Sequence, residues 1–420
     1  MKKQVIVLFL LPALIFFSPQ VIESQELQNF VIEGRFFYGD SARGPITGVC
    51  ADRDYLYITE NLDSLRIFDI SATAFPIHQT GACYADNADH LIKEGDLVVG
   101  AGVVDWDGFD IFDVSNVYAP SRLSGGGGND VIAHPKIAGS YLYTPFWHDA
   151  TGAYGLKSYD IADPGNPILA DYITPFWFNG FDIEFYGAIA YMTDWGNRNE
   201  TKIFDISNPH DIIEIGSIPY GAGSLKIYGR HLFCGPPVDY NSEPVRIYDV
   251  QDPLAPVLEL ELPVSLPYSW SMDIANGYLF LFQEWDELLV LDVGGFSYPE
   301  SLGAFFMPSP MGPPNWCFSQ VAVKNDIVYY AAGDSGLYVL RYTGPMPINT
   351  GDANASGEFN GIDVTYMVNW FRASGPPILE PPERGDANGD CVVNGVDVVY
   401  MVNYLKGFGP EPIRAFCYGH

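Results

Sequence analysis

Basic residues are scarce in this chain. Its 420 residues hold 21 Lys and Arg against 52 Asp and Glu, for a net charge of −31 at pH 7. Such a surface repels nucleic acid and anionic membrane and suits divalent cations, which excludes nucleic-acid binding. Charge of either sign is thin, at 17% of residues. Only one apolar run is present, Val5 to Phe17 behind Lys2 and Lys3. It is too short for a confident membrane span and has the layout of a secretory signal peptide. No A-x-A site is present, so the signal peptide is placed at residues 1–24, with cleavage near Ser24-Gln25 and a retained anchor as the alternative. A secreted or cell-surface location follows, with no further membrane span. The six cysteines fit no zinc-ligand spacing, although an exported chain permits disulfides. Neither an H-E-x-x-H helix nor a G-x-S-x-G elbow occurs, and no catalytic residue is assigned.

Glycine (43), proline (32) and aromatic residues (15%) are abundant, which suits many short strands joined by tight turns. One stretch recurs: Thr201-Lys202-Ile203-Phe204-Asp205-Ile206-Ser207-Asn208-Pro209 reads as a strand running into a turn. Related runs lie at Leu65 to Ser71, Phe109 to Ser115, Leu156 to Ala162, Val245 to Gln251, Leu288 to Gly294 and Leu337 to Thr343, with starts 43 to 49 residues apart. A strand-only repeat of that length predicts a β-propeller. Two strands precede each run, joined by turns such as Asp52-Arg53-Asp54, Glu94-Gly95-Asp96 and Ala275-Asn276-Gly277, and a fourth strand follows. The prediction is an all-β, seven-bladed propeller over residues 26–343. The seventh unit lacks its fourth strand, and residues 30–39 resemble the fourth strand of the fourth unit. This N-terminal strand is therefore expected to close the last blade and remove the open edges.

The repeated strand and turn resemble the LVIVD-repeat propellers. Their L-x-I-x-D-[IV]-[ST] signature is found six times, and the resemblance covers about residues 26–345. The seventh unit departs from it, with Arg341 where the others have Asp69, Asp113, Asp160, Asp205, Asp249 or Asp292. An Asp before such a turn accepts backbone N–H groups and fixes the strand exit, so these carboxylates read as architecture. The resemblance specifies fold and says little of chemistry.

Propeller loops alternate between two faces. Trp106, Trp147, Trp195 and Trp285 fall in or at the start of connections between second and third strands. Trp177, Trp270 and Trp316 fall in or at the edge of connections between blades. All seven map to one face, with Tyr240 and Phe146 beside them and carboxylates such as Asp105, Asp149 and Glu284 among them. Rings flanked by acids suit a glycan, a cationic group or an extended peptide; alternatively they plug the channel mouth. One position on the inner strands carries Gly48, His90, His134, Asp182, Ser224, Ser271 and Gln320. His90, His134 and Asp182 come from consecutive blades, and are either a metal or proton site or polar residues lining the channel.

After a Pro-containing linker, residues 344–350, the chain repeats with a period of 34 residues. Asp352 to Asp363 aligns with Asp386 to Asp397, with oxygen side chains at loop positions 1, 3, 5, 9 and 12, the arrangement calcium demands. A loop and one following helix, twice, resemble a type I dockerin, placed at residues 351–420 as a small α-helical domain. The resemblance implies two calcium ions. The first would be held by the side chains of Asp352, Asn354, Ser356, Asn360 and Asp363 and the carbonyl of Glu358. The second would be held by Asp386, Asn388, Asp390, Asn394 and Asp397 and the carbonyl of Val392. Ser356 replaces the usual Asp, which weakens the first site, and Cys391 replaces the usual Gly at position 6.

Each following helix carries two stripes. Val364, Met367, Val368 and Phe371 match Val398, Met401, Val402 and Leu405 at core spacing. Ile362, Tyr366 and Trp370 match Val396, Tyr400 and Tyr404 in a second stripe. The resemblance implies that this second stripe meets a cohesin-like protein; packing against the linker or propeller is the alternative. Gly361-Ile362 and Gly395-Val396 stand where dockerins of the best-known type carry Ser/Thr-type contacts, so the cohesin would be a divergent one. In an exported protein Cys417 is expected to pair with Cys391. Three functions are open: a non-catalytic binding protein, a polysaccharide-degrading enzyme or accessory subunit, and a surface protein with no cohesin partner.

Overall fold

The computed structural model describes residues 29–36 and 46–417, apart from 53, 61–63, 72–77, 86–87, 103–107, 129, 149–153, 175–179, 195–199, 238–242, 267–268, 276, 284–286, 295–299, 307–319, 325, 334–335, 345–348, 357, 376–377, 379–381, 410–411 and 415. The signal-peptide segment lies outside them. Seven antiparallel sheets form in chain order, as the repeat predicts. Blade four is representative, with strands Gly180–Tyr186, Ile189–Asp194, Thr201–Asp205 and Ile213–Ile218 running from the channel outward. Blade three has its inner strand in two pieces, Val131–Ile132 and Lys136–Ala138, both paired with Tyr141–His148. Pro135 stands between the pieces, and a residue without an N–H cannot continue a ladder there.

The ring closes at the N-terminus. Phe30–Phe36 pairs antiparallel with Leu337–Tyr342 and becomes the outer strand of blade seven; residues 37–39 lie outside the described residues. Phe30 is buried, with its ring centroid 5.6 Å from that of Tyr342 and 6.1 Å from that of Phe305 in blade six. The departure at Arg341 has a reason. Its guanidinium bonds Glu33 on the closing strand and Asp326 in the adjoining turn, both at 2.6 Å.

The six aspartates of the repeat are turn residues, as their sequence context predicts. Asp69, Asp113, Asp160, Asp205, Asp249 and Asp292 each accept the backbone N–H two residues on, at 2.8, 2.8, 2.9, 2.8, 2.6 and 3.2 Å. Every blade also carries a register shift between its third and fourth strands, at Ile67/Phe68, Ile111/Phe112, Ser158/Tyr159, Ile203/Phe204, Ile247/Tyr248, Val290/Leu291 and, in the closing strand, Ile32/Gly34. A bulge there bends and twists the outer strand in the same sense in each blade.

Apolar side chains from the middle strands pack between blades. One such layer joins Ile111 and Phe109 of blade two to Leu142 and Phe146 of blade three. Phe146, which the sequence sets beside the aromatic face, is instead fully buried in that layer, with the Lys157 ammonium 4.4 Å from its ring centroid. Its strand runs on to His148, so Phe146 sits within the ladder and not beyond its end.

The C-terminal module contributes two helices, α1 (Gly361–Phe371) and α2 (Gly395–Leu405), closed by capping boxes at Asn360 and Asn394. No helix among the described residues is long and apolar enough to cross a membrane. Replacing Phe30 by Ala removes the closing strand's buried ring. The unfolding free energy should fall by about 3 kcal/mol, measured by urea denaturation, with blade seven the first to gain hydrogen exchange.

Candidate functional site

The two loops lead directly into their helices, so the same residues serve as caps and as candidate ligands. Asn360 accepts the Ile362 N–H at 2.8 Å, and Asp363 accepts the N–H groups of Asn360 at 2.9 Å and Asn354 at 3.2 Å. The second loop repeats this: Asn394 accepts from Val396 at 2.7 Å, and Asp397 from Asn394 at 2.7 Å and Asn388 at 3.2 Å. At position 1, Asp352 accepts from Ser356 N–H at 2.8 Å, and Asp386 from Asp390 at 3.2 Å and Cys391 at 3.0 Å. The Asn394 amide donates to the Val392 carbonyl at 3.0 Å, which sets that oxygen beside the side-chain donors.

Asp352, Asp363, Asp386 and Asp397 are all buried. Burial, and then the neighbouring Asp352, holds the Asp363 carboxyl above the ordinary range, and burial with Asp390 does the same for Asp397. Burial followed by the charges of Asp397 and Asp390 pushes Asp386 up to about 6. Several carboxylates drawn out of water and crowded together call for a cation, and an all-oxygen donor set of this kind suits calcium. The donors therefore fit the ion. The first loop is the poorer of the two. Ser356 supplies a hydroxyl in place of a carboxylate, and Asp352 already faces Arg384 at 3.3 Å.

Cys391 and Cys417 form a disulfide. Cys391 has φ +67°, the left-handed region where glycine is favoured, and the cysteine is held there by the bridge and the hydrogen bond to Asp386.

Of the second helix stripe, Ile362 and Val396 are more than half exposed. Tyr366 and Tyr400 instead pack half-buried against the module core of Ala353, Met367, Ala387 and Met401. Tyr404 stacks on Phe359 at 5.7 Å, and Trp370 meets Phe371 at 4.6 Å. Phe371 and Leu405, which the heptad-like spacing assigns to the core, are exposed. The module is small enough that its core ends before the last helical turn, and the two stripes exchange members there.

On the propeller axis lies a cavity of about 340 Å3, lined by the first strands of the blades. Lys136 pairs with Glu184 at 2.8 Å and Lys226 with Asp273 at 2.7 Å, a belt of alternating charge over blades three to six. Below it, polar side chains at the aligned inner position tie neighbouring blades together. Asp182 accepts the Leu225 N–H of blade five at 2.7 Å. Gln320 accepts the N–H groups of Val49 at 2.9 Å and Leu91 at 3.1 Å, and donates to the Leu91 carbonyl at 2.8 Å, so blade seven reaches both blades one and two. Gly48 leaves this position empty, because a Cβ would lie 2.6 Å from Thr59 Oγ1.

His90, His134 and Asp182 do meet in the channel. The two imidazole centroids are 4.1 Å apart, and His134 Nδ1 lies 3.3 Å from Asp182 Oδ1. They form a line of contacts, not a cage. Among the described residues, the groups with three ligand atoms converging within 4.8 Å lie elsewhere, at Asp386, Cys391 and Cys417 and at His231, Asp249 and Glu259. Burial works to raise the Asp182 carboxyl, but His134, the Leu225 amide and Lys136 outweigh it and hold it below the ordinary range. Burial and then the adjoining His134 hold His90 well below the ordinary imidazole range.

Trp106, Trp177, Trp195, Tyr240, Trp285 and Trp316 lie outside the described residues. Trp147 lies near the end of the second strand of blade three and Trp270 near the start of the first strand of blade six, Ser269–Ala275. Those two strand ends belong to the same face of the disc.

Residues 350–406 match the family model of the dockerin type I domain, and residues 44–79 and 180–219 match that of the LVIVD repeat. The chain thus joins LVIVD repeats, in a seven-bladed propeller, to a type I dockerin domain. No curated protein matches the sequence. Solved structures that align with it include the computationally designed Ika8 protein, at 11% identity over 73% of this chain and 98% of that one, with a TM-score of 0.49. Hsv2 of Kluyveromyces lactis aligns at 10% identity over 68% and 89%, TM-score 0.48. A putative 6-phosphogluconolactonase of Bacteroides fragilis aligns at 13% over 61% and 82%, TM-score 0.49. Likeness at this level carries no argument about function.

The state of His90 makes stability depend on pH. Above the ordinary imidazole pKa of about 6.5 the ring is neutral in both folded and unfolded chains and contributes no slope. As pH falls below that value, the unfolded chain binds a proton that the folded protein excludes. The imidazole then removes up to about 1.4 kcal/mol of stability per pH unit. The difference in slope between the wild type and His90→Gln in chemical denaturation at pH 4.5 to 7.5 should equal this increment.

Proposed function

We propose that the chain is an exported, non-catalytic binding protein, in which the propeller offers a ligand face and the dockerin domain docks it to a protein partner through calcium. The duplicated loop-and-helix unit with buried carboxylates carries this reading. A type I dockerin implies a cohesin partner, and the exposed Ile362 and Val396 at the helix starts, two residues from the caps, are candidate contacts. Two ions are assigned, one to each loop, through Asp352, Asn354, Ser356, Asn360, Asp363 and the Glu358 carbonyl, and through Asp386, Asn388, Asp390, Asn394, Asp397 and the Val392 carbonyl. What calcium supplies is charge compensation and a fixed loop geometry. The chain's own contribution is to hold position 12 rigid, since the Asp363 and Asp397 carboxylates each accept the backbone N–H of the helix cap and of position 3. On the propeller, the tryptophan face is assigned to a glycan or an extended peptide, and the axial histidines to structure.

A pull-down with the full chain, with and without chelator, tests the docking. Calcium-dependent capture of a cohesin-like module supports it, and capture indifferent to chelator overturns it. A glycan array tests the ligand face, and hydrolysis of a bound glycan would turn the reading toward a polysaccharide-degrading enzyme. Calorimetric titration should find two ions in the wild type. Asp397→Asn should weaken one of them at least tenfold, and Asp363→Asn the other. Ile362→Asp with Val396→Asp should leave both ions bound and abolish capture of the partner.

A further inference from the structure

The tail beyond α2 does not end on its own module. Arg414 is 5% exposed and reaches blade six, donating from Nη1 to Asp292 Oδ1 at 2.8 Å and from Nη2 to Oδ2 at 3.3 Å. Its guanidinium carbon lies 5.7 Å from the Tyr278 ring centroid. Phe416 is buried in the layer between blades five and six with Phe233, Leu279 and Leu291, its ring centroid 5.0 Å from that of His231. Cys417, the next residue, is bonded to Cys391 in the second calcium loop.

Blade six is shaped for this tail. Two residues after the repeated aspartate, the blades carry Ser71, Ser115, Ala162, Ser207 and Gln251, but blade six carries Gly294. A Cβ at Gly294 would lie 2.9 Å from the Cα of Gly277 in the facing turn and 3.0 Å from the aliphatic stem of Arg414. One at Gly277 would lie 2.9 Å from the Gly294 Cα and 3.1 Å from the same stem, so the two turns close on each other and on the arginine together. Asp292 thus differs from its five counterparts. It keeps the turn bond to Gly294 but spends its outer lone pairs on an arginine from another domain, a bidentate arrangement with specific geometry.

We propose that Arg414, Phe416 and Cys417 form a strap that locks the dockerin domain onto the turn face of blades five and six. The two domains then form one rigid body. An arginine fork between two turns, a ring in the interblade core and a covalent tie to the second loop of the module together hold three points. This inference is independent of whether ions bind.

Small-angle X-ray scattering of the full chain tests it. The wild type should fit a single compact arrangement. Arg414→Ala with Phe416→Ala should enlarge the radius of gyration and the maximum dimension and require an ensemble of domain positions. Arg414→Glu is the decisive second variant, since it sets a carboxylate against Asp292 while every propeller residue and Phe416 stay unchanged. It should expel the tail from its slot and produce the same expansion while circular dichroism and melting cooperativity of the propeller stay unchanged. A wild type that itself requires an ensemble, or an Arg414→Glu chain as compact as the wild type, overturns the proposal.

Discussion

Closure of the ring is the constraint on which the rest depends. Seven sheets arranged about an axis leave no edge only if the last is complete, and the seventh unit of this chain supplies three strands of its own. The fourth, Phe30–Phe36, comes from the far end of the sequence and so couples the two ends of the domain. An exposed strand edge is a template for misassembly. The seam is accordingly reinforced by several unlike interactions. There are ladder bonds, the edge-on contacts of Phe30 with Tyr342 and Phe305, and Arg341 between Glu33 and Asp326. Toward the axis, Gln320 of the same blade extends its amide across to blades one and two. Outer and inner rims are therefore both tied where the circle begins and ends.

The channel repeats this logic on a smaller scale. Inner strands are edge strands facing one another, and their N–H groups require partners in a space too narrow for a fifth strand. Asp182 and Gln320 meet the need with side chains that reach the next blade. This is why polar residues recur at one aligned position without any chemistry being implied. His90 and His134 fill the same position by packing against each other, at the cost of an imidazole that resists protonation.

Much of this was legible in the sequence, and the reasons are specific. A strand followed by Asp and a turn is a local device, so its period revealed the blades, and the missing fourth strand pointed to the N-terminus. The duplicated loops of the dockerin domain were legible because an oxygen-donor spacing within twelve residues, of the kind calcium demands, is a local pattern. What was not legible depends on contacts between distant residues. The outer-strand bulges leave no mark in a pattern of alternation. Phe146 read as a loop residue because the strand end that buries it was not visible. Tyr366 and Tyr400 read as a partner face because helical spacing alone does not say how far a small core extends. The strap escaped altogether. Arg414 and Phe416 occur in a short tail without periodicity, and the one available signal, a glycine at 294 where five related positions carry larger residues, has meaning only once the Gly277 turn and the arginine both lie against it.

That glycine also bears on how the two domains divide the disc. The repeated aspartates and the turns beside them all open on one face, and at blades five and six that face is occupied by the chain's own tail through Asp292, Gly277 and the Phe416 pocket. The strand ends carrying Trp147 and Trp270 open on the other face. The motif that identifies the propeller thus marks, at blade six, the side on which the tail is seated, through the one repeated aspartate that takes an arginine from beyond the propeller.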